Sequence, residues 1–152
     1  MESNLKAFLD MIAWSEGTSI IPDSDDGYKV LVGSTVKHPL LFESYADHPR
    51  IYNEDLDSTA AGRYQILKRY FDVYKKTLHL PDFGPKSQDA IALQMIKECR
   101  AIELIKNGNV VAGIIRCASR WASLPGNSYQ QHTHDITELV SAFKDCGGTV
   151  VG

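Results

Sequence analysis

The chain has 152 residues, 43% hydrophobic and 23% charged, a size and balance that suit one globular domain and exclude disordered, fibrous and repeat classes. Lys and Arg number 16 against 19 Asp and Glu, a formal charge of −3, so no overall basic field draws in nucleic acid or anionic lipid. Binding must come from a local site.

Met1-Glu2-Ser3-Asn4 has no positively charged region followed by an apolar core, and no apolar stretch approaches a membrane span. The expectation is a chain made in the cytoplasm without an export signal and without membrane insertion. Leu5, Phe8, Leu9 and Ile12 recur at i, i+3, i+4 and i+7, which predicts an amphipathic helix over about 4 to 16 that Gly17 stops. Pro22, Asp23, Ser24, Asp25, Asp26 and Gly27 then read as a turn. The alternation Tyr28, Val30, Val32, bounded by Gly33, reads as one arm of a small hairpin. Helical signals return with a helix near 66 to 78, broken at Pro81, Gly84 and Pro85. Pro85 suits the first turn of the next helix, whose buried face is Ala92, Met95, Ile96 and Cys99. Val111, Ile114, Ile115, Ala118 and Ala122 form another apolar stripe, ended by Pro125 and Gly126. Asp135 and Glu138 have capping-box spacing before Ile136, Leu139, Val140 and Phe143, and Gly147-Gly148 closes that helix. The sum is an α+β fold, mostly α, in a single domain over 1–152, with no linker or internal repeat.

Cys99, Cys117 and Cys146 are odd in number and widely spaced, with no Cys-x-x-Cys pair, and read as reduced thiols. Trp14 and Trp121 sit in helical stripes and read as core. Glu16 breaks the pattern. It follows Ile12 by four residues, Leu9 by seven and Leu5 by eleven, so a continuing helix places a carboxylate on the apolar face and in the last turn, where the helix dipole disfavours an anion. Desolvation and dipole both favour the protonated form. A proton held near neutral pH is what glycoside cleavage requires, because the leaving sugar oxygen must be protonated. A fraying helix end, or a pair with an arginine, is the bland alternative.

Several segments resemble the phage lambda endolysin family: Lys6-Ala7-Phe8-Leu9-Asp10-Met11-Ile12-Ala13-Trp14-Ser15-Glu16-Gly17-Thr18, Asp47-His48-Pro49-Arg50, Ser58-Thr59-Ala60-Ala61-Gly62-Arg63-Tyr64-Gln65, Pro85-Lys86-Ser87-Gln88-Asp89-Ala90, Trp121-Ala122-Ser123-Leu124-Pro125-Gly126 and Gly147-Gly148-Thr149. They cover nearly the whole chain. The resemblance implies a lysozyme-like fold in which a helical lobe and a small β-hairpin lobe flank a substrate cleft. It also implies lytic transglycosylase activity on peptidoglycan glycan strands, with Glu16 as the one catalytic carboxyl and a 1,6-anhydromuramoyl product. Gln65 and Tyr129 are similar to residues that border the cleft in lytic transglycosylases. Tyr45 and His48 fall where the family builds the upper lip of its groove, and Arg63 is either a substrate contact or a surface charge. The family habit is a monomer that needs no metal or cofactor, held in the host cytoplasm until a holin releases it to the periplasm. Two lengths depart from the family pattern: a longer stretch between Gly33 and Tyr45, and a shorter one between Arg50 and Ser58.

Other chemistries stay open. Asp25 follows Glu16 at a spacing similar to the phage T4 type muramidases, which would make the enzyme a hydrolase, but Leu31 stands where those enzymes have a threonine. His132 and His134 could face one way on a strand as zinc ligands, yet no clear third ligand accompanies them. Cys117 as a peptidase nucleophile is equally weak, since it lies in an apolar stretch. A wall-binding protein that keeps the groove without turnover is the non-enzyme reading.

Overall fold

The computed structural model describes residues 1–125 and 134–151. Within the single span expected over 1–152, contacts group the residues into two compact units, Met1–Ser15 with Leu93–Gly152, and Glu16–Ala92. Six helices occur among the described residues: α1 Ser3–Ser15, α2 Lys68–Thr77, α3 Pro85–Glu98, α4 Ile102–Lys106, α5 Val110–Cys117 and α6 Ile136–Asp145. No described helix is long and apolar enough to cross a membrane.

In the first unit α1 packs against α4 and α6, and α5 joins both of those. α1 is covered on more than one face: Ala7, Phe8, Leu9, Met11, Ile12 and Ala13 are buried, while Leu5 of the expected stripe is only partly covered. Small residues explain how neighbours come close. A Cβ on Gly113 would stand 2.9 Å from the Ile105 side chain and 3.7 Å from Phe8, so α5 approaches its neighbours over a bare backbone. The stripe expected on this helix is displaced. Val110, Gly113, Ile114 and Cys117 are buried, whereas Val111 and Ile115 are exposed.

α6 begins as expected. The Asp135 side chain accepts the Glu138 backbone N–H and Glu138 returns to the Asp135 N–H, satisfying two donors a helix start leaves open. Gly147, at φ 97°, ends it in the left-handed conformation that glycine adopts cheaply. Ser15 closes α1 with a 2.8 Å hydroxyl pair to Ser123.

The second unit has little regular structure beyond α2 and the start of α3. Its β pairing, among the described residues, consists of the isolated bridges Val30↔Leu41, Leu31↔Ala61, Asn53↔Ser58 and Ala61↔Ile66. The arm read at Tyr28, Val30 and Val32 thus pairs at single residues rather than as a ladder. Left-handed backbone at Gly33, Arg50, Asp57 and Gln65 turns the chain before a second register can form. An aromatic cluster supplies the core: Phe83 lies 5.1 Å from Phe71, 5.9 Å from Phe42 and 4.9 Å from the His48 ring, centroid to centroid.

Asn4 is the polar anchor of the first unit. It is buried, its Nδ2 donates to the Ile105 and Thr149 carbonyls, each at 3.1 Å, and its Oδ1 accepts the Thr149 N–H at 2.9 Å. Asn4→Ala takes the side-chain partner from the Thr149 N–H and carbonyl and from the Ile105 carbonyl, which keeps the Gly108 N–H, and is expected to cost about 2 kcal/mol. A urea titration followed by circular dichroism checks this, and an unchanged midpoint would remove the anchoring role.

Candidate active site

α1 stops at Ser15, so Glu16 is the first residue after the helix rather than its last, and it is partly exposed. Gly17 at φ 75° bends the chain away. Two residues on, buried Thr18 donates through Oγ1 to the Arg63 carbonyl at 2.6 Å. Gly27 packs against Thr18 so closely that an added Cβ would lie 3.0 Å from its carbonyl carbon and hydroxyl. The segment that follows Glu16 is therefore fixed to the turn containing Arg63.

That turn is itself held from within. Gly62, at φ 84°, leaves no room for a Cβ because the Gln88 amide and Phe83 ring occupy the space. Gln88 is fully buried. Its Oε1 accepts the Arg63 N–H at 2.9 Å, and its Nε2 donates to the Phe83 carbonyl at 2.8 Å and the Tyr28 carbonyl at 3.1 Å. The Arg63 guanidinium donates to the Asp26 carbonyl at 2.8 Å and to Tyr64 Oη at 3.1 Å. It also lies 5.3 Å from the Tyr28 ring centroid and 5.5 Å from that of Tyr64. Both phenols donate to Asp89 Oδ1, Tyr64 at 2.6 Å and Tyr28 at 2.9 Å. Burial, then the bond to Asp89, pushes the Tyr28 phenol up to about 12, and burial raises Tyr64 further, so both remain donors at neutral pH.

The residues singled out from the sequence separate into two groups. Gln65 is half-buried on a left-handed backbone (φ 52°), with Nε2 turned to the Gly62 carbonyl at 2.9 Å. Tyr45 is half-buried and donates to Asp25 Oδ2 at 2.5 Å. Burial and that bond raise its phenol well above the usual value. Asp23, Asp25 and Asp26 all have positive φ, the turn role read for them. His48 and Arg63 are instead buried. His48 Nε2 meets the Ile66 carbonyl at 2.9 Å and its Nδ1 accepts the Arg50 N–H at 3.0 Å, so both ring nitrogens serve the loop. Arg63 is spent on the turn. Tyr129 and His132 lie outside the described residues.

Thr18, Gln88 and Asp89, which carry the scaffold, were not singled out from the sequence. A glutamine and an aspartate early in a helix look solvent-facing; the pointers are Gly62 in Ala61-Gly62-Arg63, a position where another backbone or side chain comes close, and the place of all three residues in segments that carry the family resemblance.

Two of the rival readings use His134 and Cys117. Among the described residues no cluster of three metal-ligating side chains occurs, and the His134 ring is stacked on Trp14 at 4.5 Å between centroids. Cys117 is buried, and burial with the neighbouring Cys99 raises its thiol far above the usual value, the reverse of an activated nucleophile. The cysteines are free thiols. Trp121 is core, whereas Trp14 is partly exposed.

A family model described as Endolysin matches residues 6–150. The endolysin of Escherichia phage lambda is 51% identical over 150 residues, covering 95% of this chain and 92% of its own. That of Escherichia phage P2 is 42% identical over 154 residues, covering 95% and 93%. Among solved structures, bacteriophage lambda lysozyme complexed with a chitohexasaccharide superposes with a TM-score of 0.93 at 49% identity, covering 99% of this chain and 98% of that one. A second lysozyme structure from bacteriophage lambda gives 0.88 at 47%, with the same coverage. The fold is lysozyme-like and mostly helical.

Gln88→Leu keeps the volume and removes the amide, leaving the Arg63 N–H and two carbonyls without partners; a loss of about 3 kcal/mol is expected, read by thermal melting. His48 gives a pH signature. Burial lowers its imidazole below the usual 6.5, so the unfolded chain takes up a proton first. This stability is complete above about pH 6.5 and falls as the pH drops from there toward the folded value. Urea midpoints between pH 7.5 and 5 should decline in the wild type and flatten in His48→Gln. The loss from Asp47 and Asp72, both lowered first by their bonds to Arg50, comes only as the pH falls below their ordinary 3.8. Parallel curves for the two proteins would exclude the histidine as the source.

Proposed function

The chain belongs to the endolysin family, and on that premise we propose that it opens the glycan strands of bacterial peptidoglycan by lytic transglycosylation, with Glu16 as the acid and then the base. The supporting observation is the placement of Glu16. It stands at the end of α1, ahead of a turn fixed through Thr18 and Arg63, in a chain that matches over 99% of its length a lysozyme held with a chitohexasaccharide. A carboxyl on a fixed turn can meet a bound sugar with little reorganisation.

In the first step Glu16 gives its proton to the oxygen between N-acetylmuramic acid and N-acetylglucosamine, and the bond to the muramoyl anomeric carbon breaks. In the second, the carboxylate takes the proton of the muramoyl 6-hydroxyl, whose oxygen closes on that carbon. The carboxyl ends as it began, and the product is a 1,6-anhydro sugar. No water is consumed, so no second carboxylate is required. Gln65 would accept a sugar N–H or hydroxyl through Oε1, and Tyr45 would present its ring. Tyr129 enters on the family resemblance alone. His48 and Arg63 act by holding the loops that carry these groups. The expected setting is a monomer without metal or cofactor, reaching the wall after a holin opens the inner membrane.

The hydrolytic alternative would use Asp25 to activate water. In the structure that carboxylate accepts the Tyr45 hydroxyl from a left-handed turn, an arrangement that favours a role in shaping the loop. Mass spectrometry of digested peptidoglycan separates the readings. Anhydromuramoyl ends are expected from the wild type, about a thousandfold less product from Glu16→Gln, and near wild-type rates from Asp25→Asn. Reducing ends, with a large loss in Asp25→Asn, would instead establish hydrolysis.

A further inference from the structure

Net charge poses a problem for a protein that must work on a carboxylate-bearing wall, because a formal −3 is repelled by an anionic polymer at long range. The second unit holds a local answer. Between Lys68 and Thr77, α2 carries Lys68, Arg69, Lys75 and Lys76. Its one carboxylate, Asp72, is taken by Arg50 in a two-pronged pair at 2.6 and 3.2 Å. Phe71 and Tyr74 are buried, and Lys75 lies over the Phe71 ring at 5.9 Å. The opposite arc is open. Helical spacing puts Arg69, Val73 and Lys76 at i, i+4 and i+7 on it, with Tyr70 at its edge, and all four are exposed. The Arg69 guanidinium stands 4.9 Å over the Tyr70 ring and its Nη2 donates to the Tyr70 hydroxyl at 3.4 Å, which orients the exposed fork.

We propose that this outer face of α2 is a docking surface for the free carboxylates of peptidoglycan peptide stems, separate in role from the carboxyl chemistry of Glu16. The inference rests on the reading that peptidoglycan is the substrate. The face suits a hydrated anionic polymer better than a bilayer. A helix seated in lipid needs a broad apolar arc turned outward, and here that arc faces the core, leaving only Tyr70 and Val73 among outward cations. Arg69 and Lys76 grip successive carboxylates, and the attraction concentrates a net-acidic enzyme on its polymer. Because the contacts are exposed ion pairs, binding weakens with salt.

The test uses the full chain carrying Glu16→Gln, so that the polymer survives, with and without Arg69→Glu and Lys76→Glu. Binding to purified sacculi is measured by co-sedimentation at low and high salt, and on sacculi whose carboxylates have been amidated. The charge reversals are expected to weaken sedimentation about tenfold at low salt, with the difference vanishing at high salt and on amidated sacculi. Binding of neutral chitohexaose should not change, which also shows that the variant is folded. Equal sedimentation of both proteins would overturn the proposal, as would a difference that persists on amidated sacculi. Charge-dependent binding to phosphatidylglycerol vesicles but not to sacculi would also overturn it and assign the face to lipid. If the parent chain fails to bind sacculi at all, the substrate reading fails along with it.

Discussion

The buried amide of Gln88 is the constraint on which the rest of the candidate site depends. It accepts one backbone N–H and donates to two carbonyls, using both its hydrogens and its oxygen on the main chain of three separate loops. Such a group is costly unless every bond is made, so it selects one arrangement of those loops over near alternatives. Gly62 is what lets the amide in, since any side chain there would occupy the same space. From the Arg63 N–H so fixed, the Arg63 carbonyl receives Thr18, and through two residues of backbone the constraint reaches Glu16.

The second unit needs such a device because it lacks a sheet to supply order. With pairing reduced to isolated bridges, its loops rely on side chains for what a ladder would provide through backbone bonds. Asp89 gathers the hydroxyls of Tyr28 and Tyr64, and Arg63 lies across both rings. Since both phenols resist ionisation, they stay donors across neutral pH. Non-glycine residues with positive φ, among them Asp23, Asp25, Asp26 and Gln65, store local strain that these bonds offset.

The sequence shows this division plainly. Where a helix has a periodic face or a clear start and stop, the sequence locates it: α1, α2 and α6 fall within two residues of the expected bounds, α3 begins at Pro85, and the Asp135 and Glu138 cap forms as read. α4 escaped because five residues are too short to show a period. In α5 the apolar run exceeds what the core can take, so neighbouring backbones decide which valines and isoleucines go inside. The loops were the harder part. His48 and Arg63 look like residues made for ligands, yet burial turns their polar atoms to the backbone and, for Arg63, to the Tyr64 hydroxyl as well, and nothing local in sequence signals burial that comes from distant partners. The same limit hid Thr18, Gln88 and Asp89.

On the proposed transglycosylase reading, these features bear on why one carboxyl would suffice. A hydrolase must organise a water as well as a proton, and would need a second carboxylate free to take a proton from it. The carboxylate best placed in sequence for that task, Asp25, accepts the Tyr45 hydroxyl through one of its two oxygens. In the proposed reaction an intramolecular hydroxyl would remove the need, since the nucleophile would arrive on the substrate and its approach would be an effective-concentration advantage the protein does not have to build. What the protein would then have to supply is a single group that can donate and then accept at nearly the same point, which places the demand on position rather than on number of groups. On that proposal the turn after the first helix, held by Thr18 and ultimately by Gln88, would meet the demand with backbone geometry, and the outward charges of α2 would be left to deal with the polymer as a whole.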